Sequence, residues 1–196
     1  CGRANIISFL HKKYRFTTIP IGVDIIKNDN IKKNIIFKKI DAIKYLKESD
    51  KYFDIILIKQ TIHFFSKRKI ITLLNLCKKR LNKKGVFLIL SLKTKNKNNQ
   101  IPSFKLMKKK LDSSLRKDEQ ILVLIKRNLK SFEKQKFTYK AVVKKNDYMK
   151  MIKNRFISCL ITLSKKEIFE GIREIKVKFK SLIKFEDTLE CIIYRR

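Results

Sequence analysis

The chain has 196 residues, 44% of them hydrophobic, and its formal net charge at pH 7 is +33. This length and apolar content suit one globular domain with a substantial core, and no apolar run approaches the length that spans a bilayer. The cysteines and histidines are too widely separated for a common metal site; they are Cys1, Cys77, Cys159, Cys191, His11 and His63. We therefore expect reduced thiols, a cytoplasmic location and no membrane insertion.

The positive charge has two explanations. Lysine supplies most of the basic residues and is spread along the whole chain with abundant Ile and Asn, as the codons of an AT-rich genome dictate. The functional alternative is a nucleic-acid or anionic-surface partner, such as tRNA or rRNA. Specific phosphate recognition tends to use Arg forks, so the composition favours genomic bias, and a nucleic-acid partner stays open.

The first ninety or so residues alternate between helical and strand patterns. In chain order they predict a helix over 6–14, strands over 19–24 and 35–37, a helical turn over 42–46, a strand over 53–58, a helix over 70–81 and a strand over 86–90. Ile7, Leu10 and Tyr14 share one face of the first helix, and Gly85 is expected to end the helix over 70–81. The run over 53–58 is typical of a strand buried on both faces, so the alternation predicts a doubly wound parallel sheet.

The pattern changes after residue 93. A polar linker over 93–100 leads to Pro102, and one or two basic helices are predicted over 103–135. A half-exposed strand over 137–143 and a helix over 148–163 follow. A capping box at Ser164 predicts the start of a helix that reaches Phe179, and a final strand is predicted over 185–194. We predict three segments. They are a core over 1–92, a helical substrate lid over 93–183 with an added strand near 137–145, and a last strand over 184–196 that returns to the core sheet.

The opening residues Cys1-Gly2-Arg3-Ala4 form a glycine-containing turn directly before the first helix. A short apolar run then ends on Asp24, and the order of turn, helix, strand and acid is typical of nucleotide-handling α/β domains. Gly2 permits a close approach that a side chain would block. The strand expected before such a turn is absent from the sequence, so we predict a sheet that lacks its first strand.

These motifs resemble the class I S-adenosylmethionine-dependent methyltransferases that act on small molecules. Cys1-Gly2-Arg3-Ala4 is similar to the second half of that family's acid-x-Gly-x-Gly-x-Gly motif, with Ala4 in the place of the last glycine. Asp24 matches the acid that binds both ribose hydroxyls, and Asp41 matches the acid that reads the adenine amino group. Residues 53–63 resemble the family's fourth strand, and residues 81–87 resemble its turn into the fifth.

The resemblance implies a Rossmann-like, mostly parallel sheet with helices on both faces, an antiparallel last strand and a helical lid insertion. It also implies S-adenosyl-L-methionine as cofactor and direct in-line methyl transfer to a small-molecule acceptor, without a metal. The implied cofactor-binding residues are Cys1, Gly2, Arg3, Ala4, Asp24, Ile25, Asp41, Ala42, Ile43, Lys59 and Gln60. In this scheme Asp24 accepts hydrogen bonds from the ribose hydroxyls, Asp41 accepts a hydrogen bond from the adenine amino group, and Ile43 covers the adenine ring.

Alternatives remain for single residues and for the whole chain. Asp24 and Asp41 are equally suited to cap the helices that follow them, and His63 is a general base, a substrate contact or a packed histidine. Candidate residues for the acceptor pocket, with structural roles as their alternative, are Tyr139, Tyr148 and Arg155. The competing functions are an RNA-binding or RNA-modifying basic protein and an NAD-dependent oxidoreductase; Asp41 favours the methyltransferase over the oxidoreductase.

Overall fold

The structure, a computed structural model, describes residues 1–28, 30–92 and 101–196, with 91 and 92 through their backbone. The helices are α1 Asn5–Tyr14, α2 Ala42–Glu48, α3 Lys67–Lys79, α4 Lys105–Asn128, α5 Lys145–Lys153 and α6 Lys165–Lys178. The strands are β1 Ile21–Asp24, β2 Ile36–Lys39, β3 Phe53–Lys59, β4 Leu81–Leu92, β5 Glu133–Lys144 and β6 Leu182–Arg195. Short 3-10 helices lie at Ile62–Phe64 and Ser158–Leu160. The predicted linker over 93–100 lies outside the described residues.

The described chain divides into two compact units. The first comprises Cys1–Ile89, Leu124–Phe132 and Ile193–Arg196, and the second comprises Leu90–Val123 and Glu133–Ile192. Every residue predicted to bind the cofactor belongs to the first unit, whereas the residues predicted for an acceptor pocket belong to the second.

The strands form one pair and one group of four. β1 and β2 pair in parallel, and the larger group has the order β3-β4-β6-β5. The sheet is mostly parallel, carries helices on both sides and has an antiparallel last strand, so the predicted fold class is confirmed.

β3 is less buried than its apolar sequence predicts. Ile55, near the middle of the strand, is 41% exposed, so the expectation of burial on both faces is wrong at this position. β3 lies at the end of its group, and within the described residues its one neighbouring strand is β4. An edge strand has less cover than a central one, and this accounts for the exposure.

The predicted end of α3 at Gly85 is also wrong. α3 ends at Lys79, Leu81 is already the first residue of β4, and Gly85 lies inside that strand. The Arg196 N–H donates to the Gly85 carbonyl over 3.2 Å, and the Phe53 N–H donates to the Arg80 carbonyl over 2.9 Å. Pairing with distant segments therefore takes the backbone groups that a longer helix would have used.

The core of the second unit is built by α4, α5, α6 and β6. Its buried side chains are Phe104, Met107, Tyr148, Ile152, Leu160, Leu163, Ile168, Ile175 and Ile183. At the start of α6, Ser164 Oγ accepts from the Glu167 N–H over 3.2 Å, and Glu167 Oε2 accepts from the Ser164 N–H over 2.7 Å. The predicted capping box is thus confirmed, and it satisfies backbone groups that the first helical turn leaves unpaired.

The helix predicted over 148–163 is wrong in its extent. α5 begins earlier and ends at Lys153, and Arg155 has a φ of 52°. A left-handed residue stops a helix because the next backbone groups turn away from its axis. Nη1 of Arg155 then donates to the carbonyls of Leu160 over 2.9 Å and Ile161 over 2.7 Å, which fixes the turn that follows.

Candidate functional site

The opening residues form a tight turn in front of α1. The Ala4 N–H donates to the Cys1 carbonyl over 3.0 Å, and Gly2 and Ala4 have φ values of 57° and 56°. A Cβ at Gly2 would meet no atom within 4 Å, so there is open space beside the turn for a ligand. Ala4, where the sequence departs from the glycine pattern, adopts a conformation that glycine reaches at lower cost.

Asp24 ends β1, and its carboxylate holds this turn. Oδ2 accepts hydrogen bonds from the Gly2 N–H at 2.8 Å and from the Cys1 nitrogen, and Oδ1 accepts from the Ile26 N–H at 3.2 Å. Burial alone would raise the pKa of Asp24, but these hydrogen bonds outweigh it and hold the pKa below its ordinary value. A carboxylate offers about four acceptor positions, so Oδ1 keeps one for a hydroxyl group.

Parallel pairing brings Asp41 to the same edge of the sheet as Asp24. In the β1–β2 register Asp24 lies opposite Lys39, and Asp41 follows shortly after the end of β2. Asp41 caps α2, because its Oδ1 accepts from the N–H groups of Ile43 at 2.9 Å and Lys44 at 3.1 Å. Both bonds end on Oδ1, so Oδ2 is left for an outside donor. Capping and ligand binding are therefore compatible at this residue.

An exposed apolar side chain lies just after the end of β1. Ile25 directly follows Asp24 and is 64% exposed, so it is available to cover a planar ring. Ile43, the residue predicted to cover the ring, is buried, and Ala42 is the first residue of α2. Ile26 was not predicted; its N–H bond to Asp24 is an Asx-type turn, for which an Asp at a strand end is the sequence signal.

The remaining predicted residues of the first unit lie at or just after the carboxyl end of β3. Lys59 Nζ donates to Gln60 Oε1 over 3.3 Å, and Gln60 has a φ of 49°. His63 lies in the next 3-10 helix, with its ring centroid 4.2 Å from that of Phe64. Ligand sites of open α/β sheets form at the carboxyl ends of strands, so these residues lie where such a site can form.

The three residues predicted for an acceptor pocket have different surroundings in the second unit. Tyr148 is fully buried, its hydroxyl donates to the Pro102 carbonyl, and burial raises its pKa. Arg155 holds the turn described above, whereas Tyr139 is 71% exposed on β5. Tyr148 and Arg155 thus have structural partners, and their contact with an acceptor stays a prediction.

The polar contacts that hold α1 were not predicted. Ser8 Oγ donates to Asn34 Oδ1 over 2.6 Å, Asn34 Nδ2 donates to the Ser8 carbonyl over 3.1 Å, and His11 Nδ1 lies 3.1 Å from the Asn34 carbonyl. The predicted apolar face of α1 is wrong at Tyr14, which is exposed. No local pattern reveals this set, because Asn34 is distant from α1 in the sequence.

Gly22 supports the site from within β1. A Cβ at this position would lie 3.0 Å from Cys1 Sγ and 2.9 Å from Ile35 Cδ1. The absence of a side chain therefore lets the opening turn lie against the strand. A glycine inside a strand pattern is the sequence signal for such a close approach.

The four cysteines are free thiols. Burial raises the pKa of Cys77 to about 12 and also raises that of Cys191, so neither is a reactive nucleophile. In the parts of the chain that the structure describes, no cluster of three or more His, Cys, Asp or Glu side chains is placed to hold a metal ion. Likewise, none of the described helices is long and apolar enough to cross a membrane.

Comparison with known proteins finds similarity in structure and not in sequence. No protein-family model and no curated protein matches the chain. A SAM-dependent methyltransferase from Archaeoglobus fulgidus matches 100% of this chain over 83% of its own, with 21% identity and a TM-score of 0.52. Phosphoethanolamine N-methyltransferase 2 of Haemonchus contortus, solved with phosphomonomethylethanolamine and S-adenosylhomocysteine, matches 100% of this chain over 47% of its own, with 12% identity and a TM-score of 0.50. The chain has the fold of the SAM-dependent methyltransferases.

The methyltransferase fold gives the two acids a common setting. Asp24 and Asp41 lie at the carboxyl ends of neighbouring parallel strands, and ligands of Rossmann-like sheets bind outside such ends. The resemblance stated from the sequence is therefore confirmed for the fold. The roles of the individual residues stay predictions.

Proposed function

We propose that the chain is an enzyme that binds S-adenosyl-L-methionine beside β1 and β2 and transfers its methyl group to a small-molecule acceptor. The observation that carries the proposal is the assembly of the Gly2 turn, Asp24 and Asp41 at one edge of a methyltransferase fold. These three features are far apart in the sequence. The parallel register of β1 and β2 brings Asp24 and Asp41 to one edge, and the Gly2 N–H bond to Asp24 holds the turn there.

Each feature fits a different part of the cofactor. Asp24 would accept from the ribose through the free position on Oδ1, and a second ribose hydroxyl would displace the Cys1 nitrogen from Oδ2. Asp41 Oδ2 would accept from the adenine amino group while Ile25 covers the ring. The open space at Gly2, together with the N-terminus of α1, suits the methionine carboxylate.

The chemistry requires little beyond positioning. S-adenosylmethionine supplies a methyl group that its sulfonium already activates, so the protein has to hold an acceptor in line with it. His63 and the exposed ring of Phe64 are the candidates for contact with the acceptor, and His63 can take a proton where the acceptor must lose one. A small acceptor is proposed by analogy with the Haemonchus enzyme, which was solved with phosphomonomethylethanolamine.

Calorimetric titration with S-adenosylhomocysteine tests the proposal. We expect binding by the wild type and a loss of about tenfold or more for Asp24→Ala, because hydrogen bonds to a charged acceptor are lost. Asp50→Ala is the matched control, since it removes an exposed carboxylate of the same unit outside the site.

Asp24 also holds the opening turn, so thermal melting of each variant must accompany the titration. A folded Asp24→Ala protein that binds S-adenosylhomocysteine as tightly as the wild type would contradict the proposal. Equal losses in Asp24→Ala and Asp50→Ala would contradict the assigned site.

A further inference from the structure

β5 exposes two aromatic side chains near its middle. The strand runs over Glu133–Lys144, and its first eight residues are all exposed. Phe137 is 52% exposed and Tyr139 is 71% exposed. Single exposed apolar side chains are normal, whereas contiguous ones often mark an interaction site.

The two rings lie on one face of the strand because side chains alternate. Ala141, the next residue on this face, is buried, and Val143 after it packs against the core of the second unit. The core thus covers one half of this face and leaves the other half to solvent. Residues two positions apart on a strand are about 7 Å apart, so Phe137 and Tyr139 present two rings in succession.

Lysines accompany these rings. From Lys134 to Lys145 the chain contains five lysines and no acidic residue. Lys134 Nζ pairs with Glu190 Oε2 at 2.9 Å, but among the described residues no ion pair involves Lys136 or Lys140, and both are exposed. Lysines next to both rings in the sequence therefore carry charge that no described ion pair neutralises.

We propose that this region, the β5 surface, defined by Lys136, Phe137, Tyr139 and Lys140, binds single-stranded nucleic acid. Unpaired bases stack on exposed aromatic rings, and lysines contact the phosphates between them. Lys136 and Lys140 project from the other face of β5. Because β5 is the last strand of its group, their long side chains can reach around its edge. The proposal is independent of the methyltransferase function.

Two other occupants fit the β5 surface less well. A strand from another chain could add to the edge of β5, but lysines along an edge strand oppose such pairing. An anionic membrane would attract the lysines and accept aromatic rings at its interface, but such binding scales with the apolar area buried, and two rings on a strand offer little of it. A polyanion with flat, stackable groups matches both the charge and the rings.

Fluorescence anisotropy with a labelled single strand of mixed sequence, as RNA and as DNA, tests the proposal. We expect Phe137→Ala and Tyr139→Ala each to weaken binding about fivefold or more, as the loss of one stacked base does. We expect Lys136→Gln/Lys140→Gln to lower the slope of log affinity against log salt by about 1.4. The RNA and DNA arms show which strand binds more tightly.

Matched control variants distinguish binding at the β5 surface from nonspecific attraction to the positive charge of the whole chain. Phe169→Ala removes another exposed ring, and Lys108→Gln/Lys109→Gln removes two other exposed lysines; we expect neither to weaken binding comparably. Unchanged binding by a folded Phe137→Ala/Tyr139→Ala protein would overturn the proposal, as would equally tight binding of a duplex. Binding of phosphatidylserine vesicles that depends on Phe137 and Tyr139, without binding of the single strand, would assign the surface to a membrane instead.

Discussion

The two carboxylate oxygens of Asp41 have different surroundings. Oδ1 accepts hydrogen bonds from the first turn of α2, which leaves Oδ2 for the proposed adenine contact. Because asparagine caps helices about as well as aspartate, Asp41→Asn should keep α2 intact and change the free energy of unfolding by less than about 0.5 kcal/mol. It would, however, present an amide donor in place of an acceptor. We therefore expect S-adenosylhomocysteine to bind about tenfold or more weakly.

An analogue distinguishes this effect from simple damage. S-inosylhomocysteine carries a carbonyl oxygen where adenine has its amino group. The Asp41→Asn variant should therefore bind this analogue more tightly than the wild-type protein binds it. Calorimetry with both ligands measures the switch. Parallel losses for the two ligands would show that Asp41 supports the fold alone.

Asp24 makes a testable contribution to the pH dependence of stability. Its pKa is lowered by hydrogen bonds in the folded chain, so its stabilising effect is present above the unfolded pKa of about 3.9 and is lost as pH falls through the folded pKa. The difference in melting temperature between wild type and Asp24→Asn should stay constant from about pH 5 to pH 7 and shrink below about pH 4. Melting curves across this range check the sign; a difference that disappears near pH 6 would contradict it.

Single residues were predictable where the sequence carries a local signal. Asp24 and Asp41 each follow a short apolar run, and a glycine beside a helix start marks the opening turn. Asn34 has no such signal, because its bonds to Ser8 and His11 depend on how the chain returns to α1.

At the level of elements, Gly171 in α6 sets two effects against each other. Alanine is better than glycine in a helix by about 1 kcal/mol. A Cβ at Gly171, however, would lie 2.6 Å from three atoms of the Phe104 ring, far inside normal contact, and that ring is buried. Overpacking costs about 1–3 kcal/mol, so Gly171→Ala should lower the free energy of unfolding. Denaturant unfolding of the variant measures the change.

A second substitution provides the control. In a Phe104→Leu background the ring edge is gone, so Gly171→Ala should become neutral or stabilising. A Gly171→Ala variant that is more stable than the wild type with Phe104 in place would contradict the close contact between α6 and this ring.

Helices and strands were predictable where residues close in the sequence determine their ends. The Ser164 capping box marked the start of α6 correctly, since both partners lie within one turn. The end of α3 and the length of β4 were missed, because distant strands pair with residues after Lys79. The break after α5 was missed for a related reason: Arg155 acts through carbonyls that a local pattern does not identify.

For the whole molecule, the net charge of +33 is the dominant electrostatic feature. Like charges at this density repel one another and destabilise the compact state. Raising KCl from about 0.01 M to about 0.3 M shortens the screening length from about 30 Å to below 10 Å. The melting temperature should therefore rise by at least about 2–4 °C, which corresponds to 1 kcal/mol for a chain of this size. Chloride is used because sulfate also strengthens apolar burial. A melting temperature that is unchanged or falls would contradict this account.

The same melting measurement tests whether the positive charge reflects only the composition of the chain or also contributes to binding. Salt screens every lysine alike, so Phe137→Ala/Tyr139→Ala should show the same rise with KCl as the wild type. Single-stranded nucleic acid stabilises the folded chain only by binding it, so at fixed ionic strength its added effect should be smaller in that variant. If the two proteins respond equally to the nucleic acid, the lysines act as a diffuse field, and AT-rich codon usage suffices to explain their number.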